Sequence, residues 1–358
     1  MNHHTREPRR PSRRRGLVTL AAAASLAVVA AACSGQPPAP VPSSVPAPSA
    51  APSAKPSGAL NGAARSGVSG GALFGGNAPM AEEESQLGRK LAIVRVYYQI
   101  GQSFPGPSSS QLLARGSTLL VSLDSSTSGP GYSSIAAGDD DTAILSFLQA
   151  VNQAAVQYHL PAIYICFEHE PENYLHAKLG SAAEFIQAWD HVHLLARAAN
   201  LDWDGGGRLH WVWIMVHNAY QLSGGARQWW PGSHEVDIVA ADGYNSYACR
   251  LAKNSPQVSQ GQATPASIFS PVVRFAHKHG QLPVFISEWG SDPDPVGTQP
   301  GFIHQMESFV AANPLVYAVL YWDSTGVGCD YSFNRESSSI SAMNTLAHSS
   351  RLQGHLTG

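Results

Sequence analysis

The hydrophobic positions of this chain fall into two alternating patterns. Short runs of apolar, β-branched and aromatic residues are separated by longer stretches in which apolar residues recur every three or four positions. The first pattern is typical of strands buried on both faces, and the second is typical of amphipathic helices. The short runs predict eight strands, at residues 73–75, 91–98, 117–123, 162–167, 209–216, 236–241, 282–287 and 316–321.

Helical segments lie between most of the predicted strands. They follow the acids at 139–141 and the capping box of Ser181 and Glu184, and they cover residues 267–278, 302–312 and 338–348. Strands and helices that alternate over about 280 residues predict an α/β fold, a single (β/α)8 TIM barrel. A doubly wound open sheet is the alternative, but no glycine-rich phosphate loop follows any predicted strand, which weakens it.

The first part of the chain differs in composition from the rest. Basic residues up to Arg15, an apolar run over 17–32 and small residues before Cys33 predict an export signal over residues 1–33. Residues 12–17 resemble a twin-arginine signal, and residues 30–33 resemble a bacterial lipobox, which would make Cys33 a lipid anchor. Residues 34–71 are rich in Pro, Ala, Ser and Gly and predict a disordered tether, so the domain is expected at 72–358.

Composition, charge and cysteines narrow the function further. Hydrophobic residues make up 44% of the chain, which is enough for one large core. The export signal holds six of the 22 Lys and Arg but one of the 25 Asp and Glu, so the mature chain is acidic and no nucleic-acid partner is expected. Cys166 lies in a strand, whereas Cys249 and Cys329 lie in loops and could pair in an oxidising exterior or stay free.

Carboxylates follow four of the predicted strands, at the end where barrel enzymes place their chemistry. Glu170 follows the fourth strand, and Glu288 follows the seventh, between a serine and a tryptophan. Asp242 and Tyr244 follow the sixth strand, and Trp322 lies before an aspartate after the eighth. Glycoside hydrolysis requires such a set, because one carboxylic acid protonates the leaving oxygen while a second carboxylate attacks or stabilises the anomeric carbon.

These motifs resemble those of the retaining glycoside hydrolases of family 26, which are β-mannanases with some β-glucanases and xylanases. His169-Glu170 is similar to the family's His-Glu pair after strand four, whose Glu is the acid/base. Glu288 in I-S-E-W-G is similar to the strand-seven nucleophile, and D-G-Y-N at 242–245 is similar to the family's strand-six motif. Trp322 is similar to a strand-eight aromatic platform. The resemblance covers roughly residue 72 to the final helix.

The resemblance implies a role for each matched residue. Glu170 is expected to act as acid/base and Glu288 as nucleophile, while His169 orients its neighbours by hydrogen bonding. Tyr244 is expected to donate a hydrogen bond to Glu288. Asp242 is expected to line the substrate site, with a structural hydrogen-bond acceptor as the alternative.

The sequence leaves the roles of two aromatic residues open, because aromatic side chains in barrels serve both in substrate binding and in core packing. Trp322 is expected to be a sugar platform or a core residue, and Trp213 to line the cleft or to pack in the core. The chain departs from the family at Cys166, where Arg is common, and at residues 171–174, where Trp is usual. The polysaccharide is therefore left open, as is endo or exo action.

The leading hypothesis is an exported retaining β-glycanase that acts on a polysaccharide as a monomer, without a cofactor, and meets the membrane only through Cys33. The alternative is a non-catalytic carbohydrate-binding lipoprotein of the cell envelope, against which the presence of both Glu170 and Glu288 argues. A metal-dependent hydrolase lacks a His and Asp ligand set at the strand ends. His191 and His193 lie on different faces of a helix, which favours a solvated helix over a zinc site.

Overall fold

The computed structural model describes residues 62–125, 129–173, 178–222, 225–247, 249, 261–293, 298–326 and 328–357. The predicted export signal, Cys33 and most of the predicted tether lie outside the described residues. Within the described part of the chain, no helix is both long and apolar enough to cross a membrane.

Eight parallel strands close into a barrel, which confirms the predicted (β/α)8 architecture. In chain order they are β1 (Leu73–Asn77), β2 (Ile93–Gln99), β3 (Thr118–Asp124), β4 (Ile163–Phe167), β5 (Leu209–Val216), β6 (Ile238–Asn245), β7 (Val284–Ser291) and β8 (Val316–Tyr321). Each strand pairs in parallel with the next, and β8 pairs with β1. Because the sheet is closed, its carboxyl-terminal strand ends form one ring.

Helices cover the outside of the barrel. The longer helices are Pro107–Ala114, Asp141–Gln157, Ala182–Ala198, Pro265–Lys278, Thr298–Ala312 and Ser337–His348, and the shorter ones are Gly62–Ser66, Ala78–Glu82, Glu84–Leu87, Tyr132–Ala137 and Gly225–Gln228. The predicted capping box is present, since Ser181 Oγ accepts from Glu184 N at 3.3 Å and the Glu184 carboxylate accepts from Ser181 N at 2.7 Å. Tertiary packing and this cap together fix where the Ala182–Ala198 helix begins.

The side chains of each strand alternate between the barrel interior and the layer beneath the helices. In β2, Ile93 packs inside the barrel, whereas Val94 and Val96 pack outward in the layer beneath the helices. Arg95 has the same parity as Ile93, and its side chain is 1% exposed. The strand pattern therefore places a guanidinium inside the barrel, close to the carboxyl-terminal strand ends.

Residues 62–69, which the sequence analysis assigned to the tether, close the amino-terminal end of the barrel. The short strand Val68–Ser69 pairs antiparallel with His355–Leu356, and Val68 packs into the barrel interior. Tyr164, near the start of β4, donates its hydroxyl hydrogen bond to Ser66 O at 2.7 Å. The ring of strand ends that carries the carboxylates lies at the opposite end.

Candidate active site

Two irregularities in the sheet arrange the acidic residues of β6 and β7. The pairing of β6 with β7 shifts register between Ala241 and Asp242, and the pairing of β7 with β8 shifts between Ile286 and Trp289. Such bulges interrupt the alternation of side chains, and they occur often beside active sites. The consecutive residues Ser287 and Glu288 accordingly both contact side chains inside the barrel, Asp242 and Arg95 respectively. Both strands also end four residues later than predicted, at Asn245 and Ser291.

The segment after β4 has an unusual backbone. Glu168 and Glu170 have φ angles of 52° and 49°, in the left-handed region that side chains other than glycine seldom adopt. Backbone hydrogen bonds hold both residues: Glu168 N donates to Leu123 O and Glu170 N donates to Ile214 O, each at 3.0 Å. Strain of this kind persists where the surroundings over-determine it, and it is concentrated at functional sites. The predicted acid/base therefore lies on a strained turn held by β3 and β5.

The carboxylate of Glu170 is half-buried and is oriented by its own turn. Asn173 Nδ2 donates to Glu170 Oε2 at 3.0 Å, and Asn173 N donates to Glu170 O at 2.9 Å. Burial and the negative charge of Glu170 both raise the pKa values of Asp242 in β6 and of Glu172. Glu170 is thus close enough to Asp242 for the two carboxyl groups to interact electrostatically.

His169 is fixed by an aspartate that the sequence analysis did not identify. Its Nδ1 lies 2.8 Å from Asp124 Oδ1, and Asp124 also accepts from His169 N at 3.2 Å. Burial lowers the pKa of His169, but the charge and hydrogen bond of Asp124 outweigh that effect and raise it to about 9. The ring packs edge-on against Tyr97 at 5.5 Å. Asp124 therefore fixes the orientation of the His169 ring and favours its protonated form.

Glu288 is buried, 9% exposed, and three side chains hold its carboxylate. Tyr97 donates a hydrogen bond to Oε1 and Tyr244 donates one to Oε2, while Arg95 forms an ion pair with Oε1, with Nη1 at 2.8 Å. The expected contact between Tyr244 and the predicted nucleophile is thus present. Burial and the Asp242 charge raise the pKa of Glu288, whereas Arg95 and the two phenols act in the opposite direction. The two hydrogen bonds and the ion pair fix the rotamer of the carboxylate and stabilise its charge.

Asp242 does not reach the cleft surface, which corrects the expectation that it lines the substrate site. It is 1% exposed, both of its oxygens accept from Arg95 Nη1 at 2.9 Å, and Oδ1 accepts from Ser287 Oγ at 2.7 Å. Arg95 also donates to Ser122 Oγ, from Nε at 3.3 Å. Asp242 is the structural acceptor that holds Arg95 against Glu288.

An open cavity of about 450 Å³ is lined by Tyr97, whose hydroxyl donates to Glu288. Its walls come from the ends of β1, β2 and β8 and from the start of the Pro107–Ala114 helix, and they include Asn77, Tyr98, Pro107 and Trp322. Tyr97 is 40% exposed, and its ring meets Trp322 edge-on at 6.0 Å. Trp322 therefore lies at the cavity wall, where the sugar-platform alternative requires it. Such a concave, mostly apolar surface with a few polar groups suits a carbohydrate ring.

Trp213 lies elsewhere, which corrects its assignment to substrate binding. Its side chain is fully buried and points out of the barrel into the layer beneath the helices. It packs against Trp230 at 4.8 Å, against Phe275 at 5.6 Å and against Tyr220 at 5.9 Å. The alternative of core packing is the correct one, because odd and even residues of β5 face opposite sides of the sheet.

Two further glutamates near Glu170 are held by backbone amides. Ser125 N donates to Glu168 Oε1, and Val216 N donates to Glu172 Oε1 at 2.6 Å. Burial is the main cause that raises the pKa of each to about 8. Glu168 is 1% exposed and points away from the cleft, so it supports the turn and does not contact substrate.

Cys249 and Cys329 form a disulfide, with their Cα atoms 4.7 Å apart. It joins the segment after β6 to the segment after β8, at the carboxyl-terminal end of the barrel. Asp292 adjoins both sulfurs as a possible metal ligand, but the disulfide engages the two cysteines. Cys166 is a free thiol buried in the barrel interior.

The sequence-based expectations missed Arg95, Tyr97 and Asp124, although the chain carries a signal for two of them. An arginine inside the apolar run of β2 marks a buried charge, and such a charge needs acidic partners. Tyr97 follows Arg95 by two residues and so shares its inward face. Asp124 is the last residue of β3 and lies one position beyond the predicted strand.

Comparisons with known proteins support the fold at low sequence identity. No protein-family model matches the sequence, and no curated protein matches it. An endo-β-1,4-mannanase double mutant from Cellulomonas fimi has a TM-score of 0.56 at 14% identity, over 78% of this chain and 71% of that one. A family 26 β-mannanase from Bacteroides ovatus has a TM-score of 0.54 at 14% identity, over 78% of this chain and 89% of that one. The family 26 domain of a mannanase/glucanase from Prevotella bryantii has a TM-score of 0.52 at 12% identity, over 80% of this chain and 91% of that one. The chain thus has a barrel similar to those of family 26 glycoside hydrolases, as its sequence motifs predict.

Proposed function

We propose that this chain is a retaining glycoside hydrolase that cleaves a β-linked polysaccharide. Glu288 is the nucleophile and Glu170 the acid/base. The observation that carries the proposal is the set of three side chains around Glu288, because the ion pair with Arg95 and the hydrogen bonds from Tyr97 and Tyr244 aim the buried carboxylate and oppose the rise in its pKa that burial causes. Glu170 follows β4 on a left-handed turn, and burial and the charge of Glu170 together raise the pKa of Asp242, which is hydrogen-bonded to Arg95 beside Glu288.

The reaction takes two displacements. In the first, Glu288 attacks the anomeric carbon while Glu170 gives its proton to the departing glycosidic oxygen, which leaves a glycosyl-enzyme ester. In the second, Glu170, now ionised, takes a proton from water, and the water oxygen displaces Glu288 from the anomeric carbon. Both steps pass through an oxocarbenium-like transition state that the charge of Glu288 stabilises.

The substrate proposed is a β-mannan or a related β-glucan or xylan. The cavity beside Tyr97 supports a carbohydrate substrate, because its volume of about 450 Å³ is bounded by the aromatic side chains of Tyr97, Tyr98 and Trp322. We further propose that the protein is exported and anchored through Cys33, and that it acts as a monomer. The export signal and lipobox-like sequence in residues 1–33 support this localisation.

The test is hydrolysis of a panel of β-mannan, mixed-linkage β-glucan, β-1,3-glucan and xylan by the chain that starts at residue 34. Wild type is compared with Glu170→Gln, with Glu288→Gln and with Glu82→Gln, an exposed carboxylate that serves as the matched control. We expect one polymer to be cut and the first two variants to lose activity by about three orders of magnitude or more, whereas Glu82→Gln keeps it. Binding of a glycan without cleavage would instead establish the non-catalytic alternative.

A further inference from the structure

A short hairpin after β8 packs against the residues that hold Glu288. Its strands Thr325–Gly326 and Cys329–Asp330 pair antiparallel, and Tyr331 follows directly. Tyr331 is 6% exposed. Its ring stacks on that of Tyr244, with the centroids 4.9 Å apart and the planes 21° from parallel. The hairpin thereby reaches the phenol that donates to the predicted nucleophile.

A glycine in β7 favours the close approach of Tyr331. A Cβ atom at Gly290 would lie 3.1 Å from Tyr331 Cγ, which is tighter than ordinary van der Waals contact and would push the ring outward by a few tenths of an ångström. Gly290 comes two residues after Glu288, so it lets the Tyr331 ring lie directly over this part of the strand. Close packing of Tyr331, and not backbone flexibility, therefore accounts for the glycine at position 290 of the I-S-E-W-G motif.

Several hydrogen bonds hold the main chain of Tyr331. Its N donates to Ser324 O at 3.0 Å, and its O accepts from Tyr321 Oη at 2.5 Å and from Gln299 Nε2 at 3.4 Å. Its hydroxyl is hydrogen-bonded to Ser246 Oγ of the segment after β6 at 3.2 Å. The residue is thus fixed to β8 on one side and to the β6 segment on the other.

The disulfide is the covalent part of this arrangement. Cys329 lies two residues before Tyr331, and Cys249 lies five residues after Tyr244. Asp330, between Cys329 and Tyr331, donates its N–H to Asp292 Oδ2 at 3.2 Å. Without the S–S bond, the hydrogen bond to Ser246 and the stacking on Tyr244 would be left to tie Tyr331 to β6 and the segment after it.

We propose that Tyr331, clamped by the Cys249–Cys329 disulfide, is a positioning residue that holds Tyr244 against Glu288 and makes the activity of this site depend on its redox state. The inference rests on the proposed glycosidase function. An external dithiol breaks the S–S bond, each sulfur takes up one electron and one proton, and the dithiol becomes its own disulfide. The freed hairpin then lets Tyr244 drift from Glu288, and displacements on the scale of 1 Å are costly in a catalytic site.

The test compares kcat and KM of wild type, Tyr331→Ala, Tyr331→Phe and the double variant Cys249→Ser/Cys329→Ser, each with and without dithiothreitol. We expect Tyr331→Ala to lower kcat by about 10–100-fold with little change in KM, and Tyr331→Phe, which keeps the stacked ring, to restore most of it. Dithiothreitol should lower wild type to the level of the cysteine variant and leave that variant unchanged. Asn334→Ala, an exposed residue three positions after Tyr331, is the matched control.

A readout that needs no turnover separates this inference from the proposed function. Glu288 is faced by Arg95 and Tyr97 from β2 and by Asp242 and Tyr244 from β6, so loss of the Tyr244 hydrogen bond raises its pKa. Titration of ¹³C-labelled glutamate carboxyls by NMR, with the Glu288 signal assigned from Glu288→Gln, should give a higher midpoint on reduction. A shifted midpoint in a protein that cuts no glycan overturns the function and keeps the clamp. Full kcat in Tyr331→Ala, or an unmoved midpoint on reduction, overturns the clamp.

Discussion

Arg95 is the residue whose removal most strongly tests the electrostatics of this site. Its guanidinium lies 2.9 Å from Asp242 and 2.8 Å from Glu288, and its side chain is 1% exposed. At an effective dielectric constant of about 20, unit charges at this separation attract by roughly 6 kcal/mol, and the desolvation of the three groups offsets much of that gain. The net contribution of the cluster to the free energy of unfolding is therefore modest, but removal of one partner alone is strongly destabilising.

Arg95→Met keeps the length of the side chain and removes its charge. Two buried carboxylates, Asp242 and Glu288, are then left together without the guanidinium that pairs with both, so we expect the free energy of unfolding at pH 7 to fall by about 3–5 kcal/mol. Arg95 also lowers the pKa of Glu288. Its removal should therefore move the acidic limb of the kcat/KM profile to higher pH and leave less of the nucleophile ionised at neutral pH.

The assays are urea unfolding followed by tryptophan fluorescence and kcat/KM measured between pH 4 and 9. Arg95→Met/Asp242→Asn removes one carboxylate together with the cation, and it should regain part of the stability and bring the acidic limb part of the way back. Arg335→Met, at an arginine 58% exposed that pairs with Asp330, is the matched control and should cost less than about 1 kcal/mol. The reasoning is refuted if Arg95→Met loses less than about 1 kcal/mol, or if its acidic limb does not move.

Four further variants test single residues of the site and the core. Tyr244→Phe removes one donor to Glu288 and should lower kcat by roughly 10–100-fold with an acidic limb at higher pH, and an unchanged profile would contradict the contact. Trp322→Ala should raise KM for the polymer by about 3–10-fold, whereas Trp213→Phe should lower the melting temperature and leave KM unchanged; the reverse would exchange their assignments. Burial raises the pKa of Glu172 from 4.5 to about 8, so the folded state binds more protons in that window and stability falls as pH rises through it. Glu172→Gln should therefore raise the melting temperature by about 2–4 °C at pH 8 and not at pH 4, and calorimetry that gave equal changes would refute the assignment.

The barrel itself was readable from the sequence because its strands are short, apolar and regularly spaced. The bounds of β5 and β8 agree with the predicted ones, and the positions of Glu170 and Glu288 follow from where their strands end. The segment that closes the amino-terminal end of the barrel could not be predicted, because a two-residue strand in a glycine-rich and serine-rich stretch carries no hydrophobic periodicity.

The sequence predicted the site less completely than the fold, because the geometry of the site depends on contacts between strands that are distant in the sequence. Arg95 meets Asp242, 147 residues away, only after β2 and β6 have entered the same barrel. The bulges in β6 and β7 also change which side chains face inward, so strict alternation could not assign them. His193 is a further correction: it is buried between Asp202 at 2.9 Å and Glu235 at 2.5 Å, where a solvated helix was expected.

The most direct test of the central claim is to trap the glycosyl-enzyme. The protein is incubated with activated 2-deoxy-2-fluoro glycosides of the sugar that the polysaccharide panel identifies, and the labelled peptide is sequenced by mass spectrometry. Because the fluorine slows the second displacement more than the activated first one, a retaining enzyme accumulates the ester. The account predicts one label, on Glu288, and none in Glu288→Gln. A label on another residue, or hydrolysis with inversion at the anomeric carbon, would contradict it.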